Sequence, residues 1–233
     1  MKIVSWNVNG LRSAAKRGLI PYLDNLNPDI ICLQETRCSK NEIESLFPSY
    51  FSAHSMYSNS GRAGVAILSN IPITNENEIV KGRIIRVSTF DLTIYSVYVP
   101  HGYNGTYQQK LELLHMLATN LSNKLKTIVA GDFNIALESL DVHHKPCKVI
   151  GCKEEERSLM KNLGLVDAFR VKNPGKRAYT YWSNGKRTQN KGWRLDYILS
   201  SQEIEIRDAS IPNKSNELFK ISDHLPVIAE LNL

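Results

Sequence analysis

Apolar runs of strand length alternate with longer mixed stretches along the chain. Runs rich in Val, Ile and Tyr fall at 2–6, 29–33, 64–68, 84–90, 92–99, 127–130, 195–199 and 226–231. Unbroken apolarity over so short a span marks a strand covered on both faces. Helical patterns separate some of these runs. The clearest covers 107–122, where Leu111, Leu114, Leu117, Ala118 and Leu121 share one helix face. A second covers 154–163 and opens on three glutamates, which suit the positive end of a helix dipole. A weaker pattern covers 17–26. Hairpin-like strand pairs within 64–99, among strand-helix-strand stretches, predict an α/β fold with mixed or antiparallel sheets and not a doubly wound parallel one. No repeat of solenoid period, low-complexity tract or Pro/Gly/Ser linker divides the chain, so a single domain over 1–233 is expected.

The same pattern carries a chemical regularity. IVSW ends in Asn7, IICLQ in Glu35, IYSV in Tyr98, and TIVAG in Asp132 and Asn134. Each buried strand finishes on a polar group. On one rim, those ends make a site built on rigid elements, where ligands sit in α/β sheets. Asn and Asp after a strand also close turns, which is the competing explanation for each residue taken alone.

Composition excludes several classes. With 233 residues, 42% hydrophobic and 22% charged, the chain is not a disordered polymer, a coiled coil or a collagen. It is long enough to bury a core without disulfides or a structural metal. Cys32, Cys38, Cys147 and Cys152 form no C-x-x-C pair and are too few for a secreted scaffold, so free thiols in a reducing compartment are expected. The start MKIVSWNVNG lacks the features of a signal peptide, and no apolar run approaches bilayer length. A cytoplasmic protein without a membrane partner is expected, nucleoid-associated if prokaryotic.

Net charge is +6, but residues 170–194 hold Arg170, Lys172, Lys176, Arg177, Lys186, Arg187, Lys191 and Arg194 and no acid. The remainder of the chain, with 21 basic and 23 acidic residues, is at −2. Tyr179, Tyr181, Trp182 and Trp193 interleave with these cations. Cations for phosphates and flat rings for sugars or bases suit a nucleic-acid surface. The alternative is a solvated loop with core aromatics.

Glu35 closes an apolar run, where an unpaired charge is costly, so it needs a cation. A hard metal such as magnesium, or Arg37 two residues on, would serve. Asp132 and Asn134 pair an acid with an amide: the acid takes a proton from water while the amide donates to a phosphate oxygen or orients the acid. An Asx-turn closing the strand is the plainer reading. Asp223 and His224 precede the last strand, and Asp196 in GWRLDYILSS is an acid that would hold His224 in one tautomer if the two meet. His143, His144, Cys147 and Cys152 lie close together, but their spacing is not a standard zinc arrangement.

WNVNGLR at 6–12, LQET at 33–36, GVAILS at 64–69, VYVPHG at 97–102, GDFNIA at 131–136, GWRLDYILSS at 192–201 and SDHLP at 222–226 resemble the exonuclease III family in order and spacing. That family comprises the abasic-site endonucleases of the endonuclease/exonuclease/phosphatase superfamily. The resemblance runs from Met1 to Leu233, and GWRLDY with the preceding YTYW is its most specific part. It implies a four-layer α/β sandwich of the DNase I-like kind, with two facing mixed β-sheets flanked by helices. The implied activity is a magnesium-dependent phosphodiesterase, with manganese as a substitute, cutting double-stranded DNA 5′ to abasic sites as a monomer. A 3′–5′ exonuclease or 3′-phosphodiesterase activity goes with it, in base excision repair.

By the same resemblance Glu35 binds the metal, with Asn7 beside it and Asp223 near a second position. Asp132 orients and deprotonates the water, helped by Asn134. His224, paired with Asp196, stabilises charge on the phosphate, and Tyr98 contacts it. Tyr181, Trp193 and Leu195 wall a pocket for the flipped-out sugar. Trp182, Lys186, Arg187 and Lys191 belong to the basic, aromatic substrate surface. Arg12, Lys16, Arg17 and Arg62 fall on loops that face DNA in relatives.

The chain also departs from the family. Asn9 stands where some members carry Asp. HGYNGT lacks an arginine that some relatives insert into the duplex, and the loop before GWRLDY is short. Residues 141–153 are shortened and lack DNA-touching asparagines. A weaker grip on product or undamaged duplex follows. Two rivals remain: a superfamily phosphodiesterase acting on RNA or a phospholipid head group, and a non-catalytic DNA-binding relative. The segment from Tyr179 to Trp193 argues against the first, and the complete polar set argues against the second.

Overall fold

The computed structural model describes residues 1–57, 63–90, 92–121, 126–143, 149–183, 186–213 and 215–233. In chain order its strands are β1 (Lys2–Asn7), β2 (Ile30–Gln34), β3 (Phe51–Ser55), β4 (Val65–Ser69), β5 (Thr74–Val80), β6 (Ile84–Thr89), β7 (Leu92–Tyr98), β8 (Lys126–Asp132), β9 (Val166–Asp167), β10 (Asp196–Ser200), β11 (Glu205–Ser210) and β12 (Val227–Asn232). Its α-helices are α1 (Leu11–Lys16), α2 (Leu19–Leu26), α3 (Lys40–Leu46), α4 (Tyr107–Asn120), α5 (Glu154–Lys161), α6 (Ala168–Lys172) and α7 (Asn216–Ile221). All eight expected strands form. The expected helix over 107–122 stops at Asn120, because Leu121 turns extended. That over 154–163 stops at Lys161. The helix expected over 17–26 starts at Leu19, and Gly18, at φ 105°, breaks it from α1.

Two six-stranded sheets carry the fold, one in the order β11-β12-β1-β2-β4-β3 and the other β5-β6-β7-β8-β10-β9. Each is mixed, with one parallel pair at its centre: β1 with β2, and β7 with β8. The sheets face each other, with helices outside.

Alternation along the strands shows why their sequences read as unbroken apolar runs. Ile94, Ile128, Ala130 and Ile198 pack with Ile31, Leu33 and Ile67 of the other sheet in one core. Their neighbours Tyr95, Val129, Tyr197 and Leu199 pack with Leu113, Leu114 and Leu117 of α4 and Met160 of α5 in a second. With a side-chain period of two, both faces of these strands need apolar residues. Burying each Leu or Ile contributes about 1.5–3 kcal/mol. A polar tie crosses the inner core near the rim: Gln34 Nε2 donates to Ser96 Oγ at 3.3 Å, and Ser96 Oγ donates to the Leu33 carbonyl at 3.2 Å.

Topology delivers the polar ends to one place. Asn7 lies opposite Gln34, and Tyr98 opposite Asp132, at the carboxyl ends of the two parallel pairs. β10 runs antiparallel to β8, so its first residue, Asp196, meets Asp132. β12 runs antiparallel to β1, with Val227 opposite Ser5, so His224 just before it comes to the same end.

Candidate active site

The rim is built where strands stop and the backbone turns. Glu35 follows β2 at φ 53°, Asn9 follows β1 at φ 47°, and Asn134 follows β8 at φ 52°. Non-glycine residues in this left-handed region carry local strain that the surroundings must hold, and such residues gather at functional sites. The turn at Glu35 is tied to the start of α1, where Gly10 and Leu11 N–H groups donate to the Glu35 and Thr36 carbonyls at 2.8 and 2.9 Å. Just before Asp132, a Cβ on Gly131 would lie 1.9 Å from the Val97 carbonyl oxygen. Only glycine lets β7 and β8 close there.

One chain of hydrogen bonds links the acids. Asn7 Nδ2 donates to Glu35 Oε1 at 3.0 Å and to Asp132 Oδ2 at 2.9 Å. The Asn9 N–H donates to Asn7 Oδ1 at 3.1 Å, and Asn9 Nδ2 donates to Asp223 Oδ1 at 2.9 Å. Asn7 thus turns its donor to two carboxylates and its oxygen to a backbone N–H. It bridges the acids, because two carboxylates this close need a donor between them.

Of the two partners expected for Glu35, Arg37 is in place. Arg37 pairs with its Oε2, as the plainer reading held. Burial alone would raise the Glu35 carboxyl. The Asn7 amide, the Arg37 guanidinium and the Tyr98 hydroxyl, which donates to it, together hold it below the usual range. Tyr98 is shifted upward by burial and by the Glu35 and Asp132 charges, so its proton stays in place. The Arg83 guanidinium lies 4.5 Å from the centre of its ring.

Asp132 is held by the Asx-turn and by the amide at once. Its Oδ1 accepts from the Asn134 N–H at 2.9 Å, and its Oδ2 from Asn134 Nδ2 at 3.3 Å. The Asn134 amide also donates to the Val99 carbonyl at 2.9 Å. Of its two expected uses, the geometry matches orienting the acid. His224 Nδ1 lies 2.8 Å from Asp196 Oδ2, and its Nε2 lies 4.0 Å from Asp132 Oδ2. Burial by itself would lower His224, but the Asp196 carboxylate, aided by Asp132 and Asp223, raises it to about 10. Burial and the Asp196 charge push Asp132 upward in turn.

The rim opens into a cavity of about 590 Å³, lined by Glu35, Tyr98, Asp132, Asn134, Asp223 and His224 together with Tyr181, Trp193, Leu195 and Lys186. The Tyr181 ring stacks 4.8 Å from His224. His101, Tyr103, Asn104, Ile150, Gly151 and Ser183 also line it and were not anticipated. Two hydroxyls that position the site were missed as well. Thr180 Oγ1 accepts from the Leu195 and Asp196 N–H groups at 3.0 and 3.3 Å. Ser222 Oγ donates to the Asn7 carbonyl at 2.6 Å and accepts from the His224 N–H at 3.2 Å. Their place inside YTYW and SDHLP was the available signal.

Part of the expected substrate surface is corrected. Trp182, at 3% exposed, does not line the cavity but packs in the core against Tyr179 and Phe219. The basic segment is partly structural. Arg194 is fully buried and pairs with Asp141 at 2.8 Å and Asp167 at 2.7 Å. Arg170 pairs with Asp141 and Glu138, and Arg177 donates to the Val142 carbonyl. Lys186 and Lys191 are exposed, and Arg187 lies 4.3 Å over the Phe219 ring. Arg12 and Lys16 sit on α1 and not on a loop, with Arg17 directly after them, and all three are exposed. Arg12 pairs with Glu42 at 3.3 Å. Arg62, His144 and Cys147 lie outside the described residues. Cys32 and Cys38 are free and buried, and Cys152 is buried.

Among the described residues, one cluster could hold a metal ion. Possible ligand atoms of Asp132, Asp196 and His224 lie within 4.8 Å of one another. Glu35 and Asp223 also offer oxygen donors, at either end of the Asn7–Asn9 link, the donor type a hard dication takes. Among the described residues, no helix is long and apolar enough to cross a membrane.

Comparison with known proteins accounts for the arrangement. Residues 4–224 match the endonuclease/exonuclease/phosphatase family. The chain is 32% identical to an exodeoxyribonuclease of Bacillus subtilis (strain 168) over the whole of both chains. A solved structure of an AP (abasic-site) endonuclease from Archaeoglobus fulgidus superposes with a TM-score of 0.88 at 30% identity, covering all of both chains. A 3′ phosphatase from Neisseria, bound to product DNA hairpin, superposes with a TM-score of 0.88 at 25% identity, again over both full chains. The chain belongs to the endonuclease/exonuclease/phosphatase family and, within it, to the hydrolases of the exonuclease III type of AP endonuclease.

Proposed function

We propose that the protein is a magnesium-dependent DNA-repair phosphodiesterase that cuts double-stranded DNA 5′ to abasic sites. On this reading the same centre removes 3′ blocks or terminal nucleotides, and the whole of 1–233 works as one domain, as a monomer in the cytoplasm. The observation that carries the proposal is the coupling of Asp132 to His224 across 4.0 Å, inside a cavity that Glu35 and Asp223 also line.

The chemistry follows from that geometry. An oxygen lying about 2.8 Å from each group fits between Asp132 Oδ2 and His224 Nε2, which is hydrogen-bond distance to both. Asp132 takes the proton of the attacking water, with Asn134 and Asn7 holding the carboxylate in line, as the water oxygen bonds to phosphorus and the P–O3′ bond breaks; the leaving 3′-oxygen takes a proton from solvent to become the 3′-hydroxyl. His224, charged through Asp196, donates to the phosphate oxygen on which negative charge develops. Glu35 and Asp223, with Asn7 between them, would hold the metal, which when bound supplies positive charge to the phosphate. Tyr98 keeps its proton beside Glu35 and offers a further donor. Tyr181, Trp193 and Leu195 form the wall against which a sugar without a base would rest.

Cleavage of a labelled duplex carrying one tetrahydrofuran abasic analogue, with magnesium or EDTA, beside undamaged duplex and an Asp132→Ala control, tests the proposal. A magnesium-dependent cut at the lesion, lost in Asp132→Ala, is expected. End degradation alone, or hydrolysis of RNA in place of the lesion strand, would refute the substrate assignment.

A further inference from the structure

A buried ion pair that the proposed chemistry does not use lies behind this centre. Lys110 on α4 meets Glu156 on α5 at 2.7 Å, and neither side chain is exposed. Burying two charges costs several kcal/mol per ion, and well-packed apolar residues often serve stability equally well. What the pair holds is therefore the informative part.

Each partner reaches a segment that lines the cavity. Lys110 Nζ donates to the Asn134 carbonyl at 2.9 Å. Asn134 is the strained residue whose N–H and side-chain amide grip Asp132. Its carbonyl end is thus fixed by Lys110 and its amide end by Asp132. Glu156 accepts the Gly151 N–H with both oxygens, at 3.0 and 2.8 Å, and the Lys153 N–H at 2.9 Å. The Gly151 carbonyl accepts from the Ala136 N–H at 2.8 Å, which returns to the segment after Asn134. Gly151 and Ile150 are part of the cavity wall.

Resting on the function proposed above, we infer that Lys110 is a positioning residue. Through Asn134 on one side and Glu156 on the other, it holds the Asp132 turn and the Gly151 wall in fixed relation to each other. A role limited to docking α4 on α5 would show in stability alone. A positioning role appears in turnover.

The test uses the full-length protein with magnesium on two substrates, the abasic duplex and bis(4-nitrophenyl) phosphate, the second needing no DNA recognition. The double variant Lys110→Met/Glu156→Leu removes both charges together and leaves neither orphaned. Its kcat is expected to fall by roughly ten- to a hundredfold on both substrates, since a displacement of about 1 Å far from the reacting atoms costs on that order. KM should stay close to wild type, the melting temperature should fall because the Asn134 carbonyl and the Gly151 and Lys153 N–H groups lose their partners, and Lys110→Arg, which keeps a cation and its donors, should retain most of the wild-type kcat. Wild-type kcat in a folded double variant, or a lower melting temperature alone, would overturn the inference. If the double variant does not fold, Lys110→Met alone decides: Glu156 keeps its Gly151 and Lys153 N–H donors while the Asn134 carbonyl loses its tie to α4, and unchanged kcat in it overturns the inference too. Failure of the wild type on the abasic duplex with turnover of the small diester would instead count against the proposed substrate, and the variants would still be compared on the diester.

Discussion

Replacing Asp196 by Asn tests the centre most directly. Asn keeps the size of the side chain and one acceptor for His224 Nδ1 but removes the charge. The rise of His224 from 6.5 to about 10 corresponds to about 5 kcal/mol at about 1.4 kcal/mol per pH unit. Opposite unit charges at the 2.8 Å of this pair attract by about 6 kcal/mol at an effective dielectric constant of about 20, which is the same size. A neutral hydrogen bond of about 1 kcal/mol survives in the variant, and Asp132 and Asp223 retain part of the attraction. A net loss of about 3–4 kcal/mol remains, which moves the upper limb down by about 2–3 pH units from about 10, so kcat/KM falls by roughly 10²–10³-fold at alkaline pH near that limb and little at or below neutrality.

The assay is the pH profile of abasic-duplex cleavage. In wild type, kcat/KM should rise as Asp132 loses its proton at about 7 and fall as His224 loses its proton at about 10. In the variant the upper limb moves down toward neutrality, and the window in which both groups are in working form narrows. Stability follows the same sign. A histidine raised in the folded state stabilises fully below its unfolded value of 6.5 and loses that contribution as pH passes about 10. The melting deficit of Asp196→Asn should accordingly be largest at acid to neutral pH and shrink in alkali. An upper limb that stays at about 10, with kcat/KM there within threefold of wild type, would refute the assignment of His224 as the charged donor.

Three further outcomes are expected. Glu35→Gln should still bind abasic duplex but need far more magnesium for any cleavage, read from metal titrations of rate; an unchanged magnesium dependence would remove Glu35 from the metal site. Tyr181→Ala should lower kcat/KM with little change in melting temperature, whereas Trp182→Ala, which empties a core position, should cost about 3–5 kcal/mol of stability in denaturant unfolding; the reverse pattern would contradict the placement of these neighbours. Changing Lys186, Arg187 and Lys191 together to Ala should weaken DNA binding and reduce the slope of log affinity against log salt by about 0.9 for each phosphate no longer neutralised, and an unchanged slope would locate the DNA face elsewhere.

Sequence alone was enough for the central strands and the identity of the rim. β1, β2, β4, β7, β8 and β10 are packed on both faces, so burial is written into them as continuous apolar runs. The edge strand β5, TNENEIV, is mostly exposed and draws its order from pairing with β6, so it has no apolar signature of its own. β3 and β11 alternate buried and exposed positions in sequences too mixed to stand out. Polar residues at strand ends were visible for the same reason the strands were: a charge that ends an apolar run is costly unless it serves a purpose.

Which of those residues meet was decided by the tertiary structure. Asp196 and His224 are 28 residues apart, and only the antiparallel entry of β10 and β12 brings both to the end where β1 and β8 stop. Tyr181 and Trp182 are adjacent and chemically alike, yet one faces the cavity and the other the core, because bridges from Tyr181 to Trp193 and His224 fix the side each one takes. The basic segment looked uniform in sequence, but Asp141 and Asp167 draw Arg194 into the interior, and Asp141 with Glu138 draws in Arg170. Charge along a chain counts cations, whereas burial depends on acids that arrive from distant segments, so only the fold separates structural arginines from those free to meet a phosphate backbone.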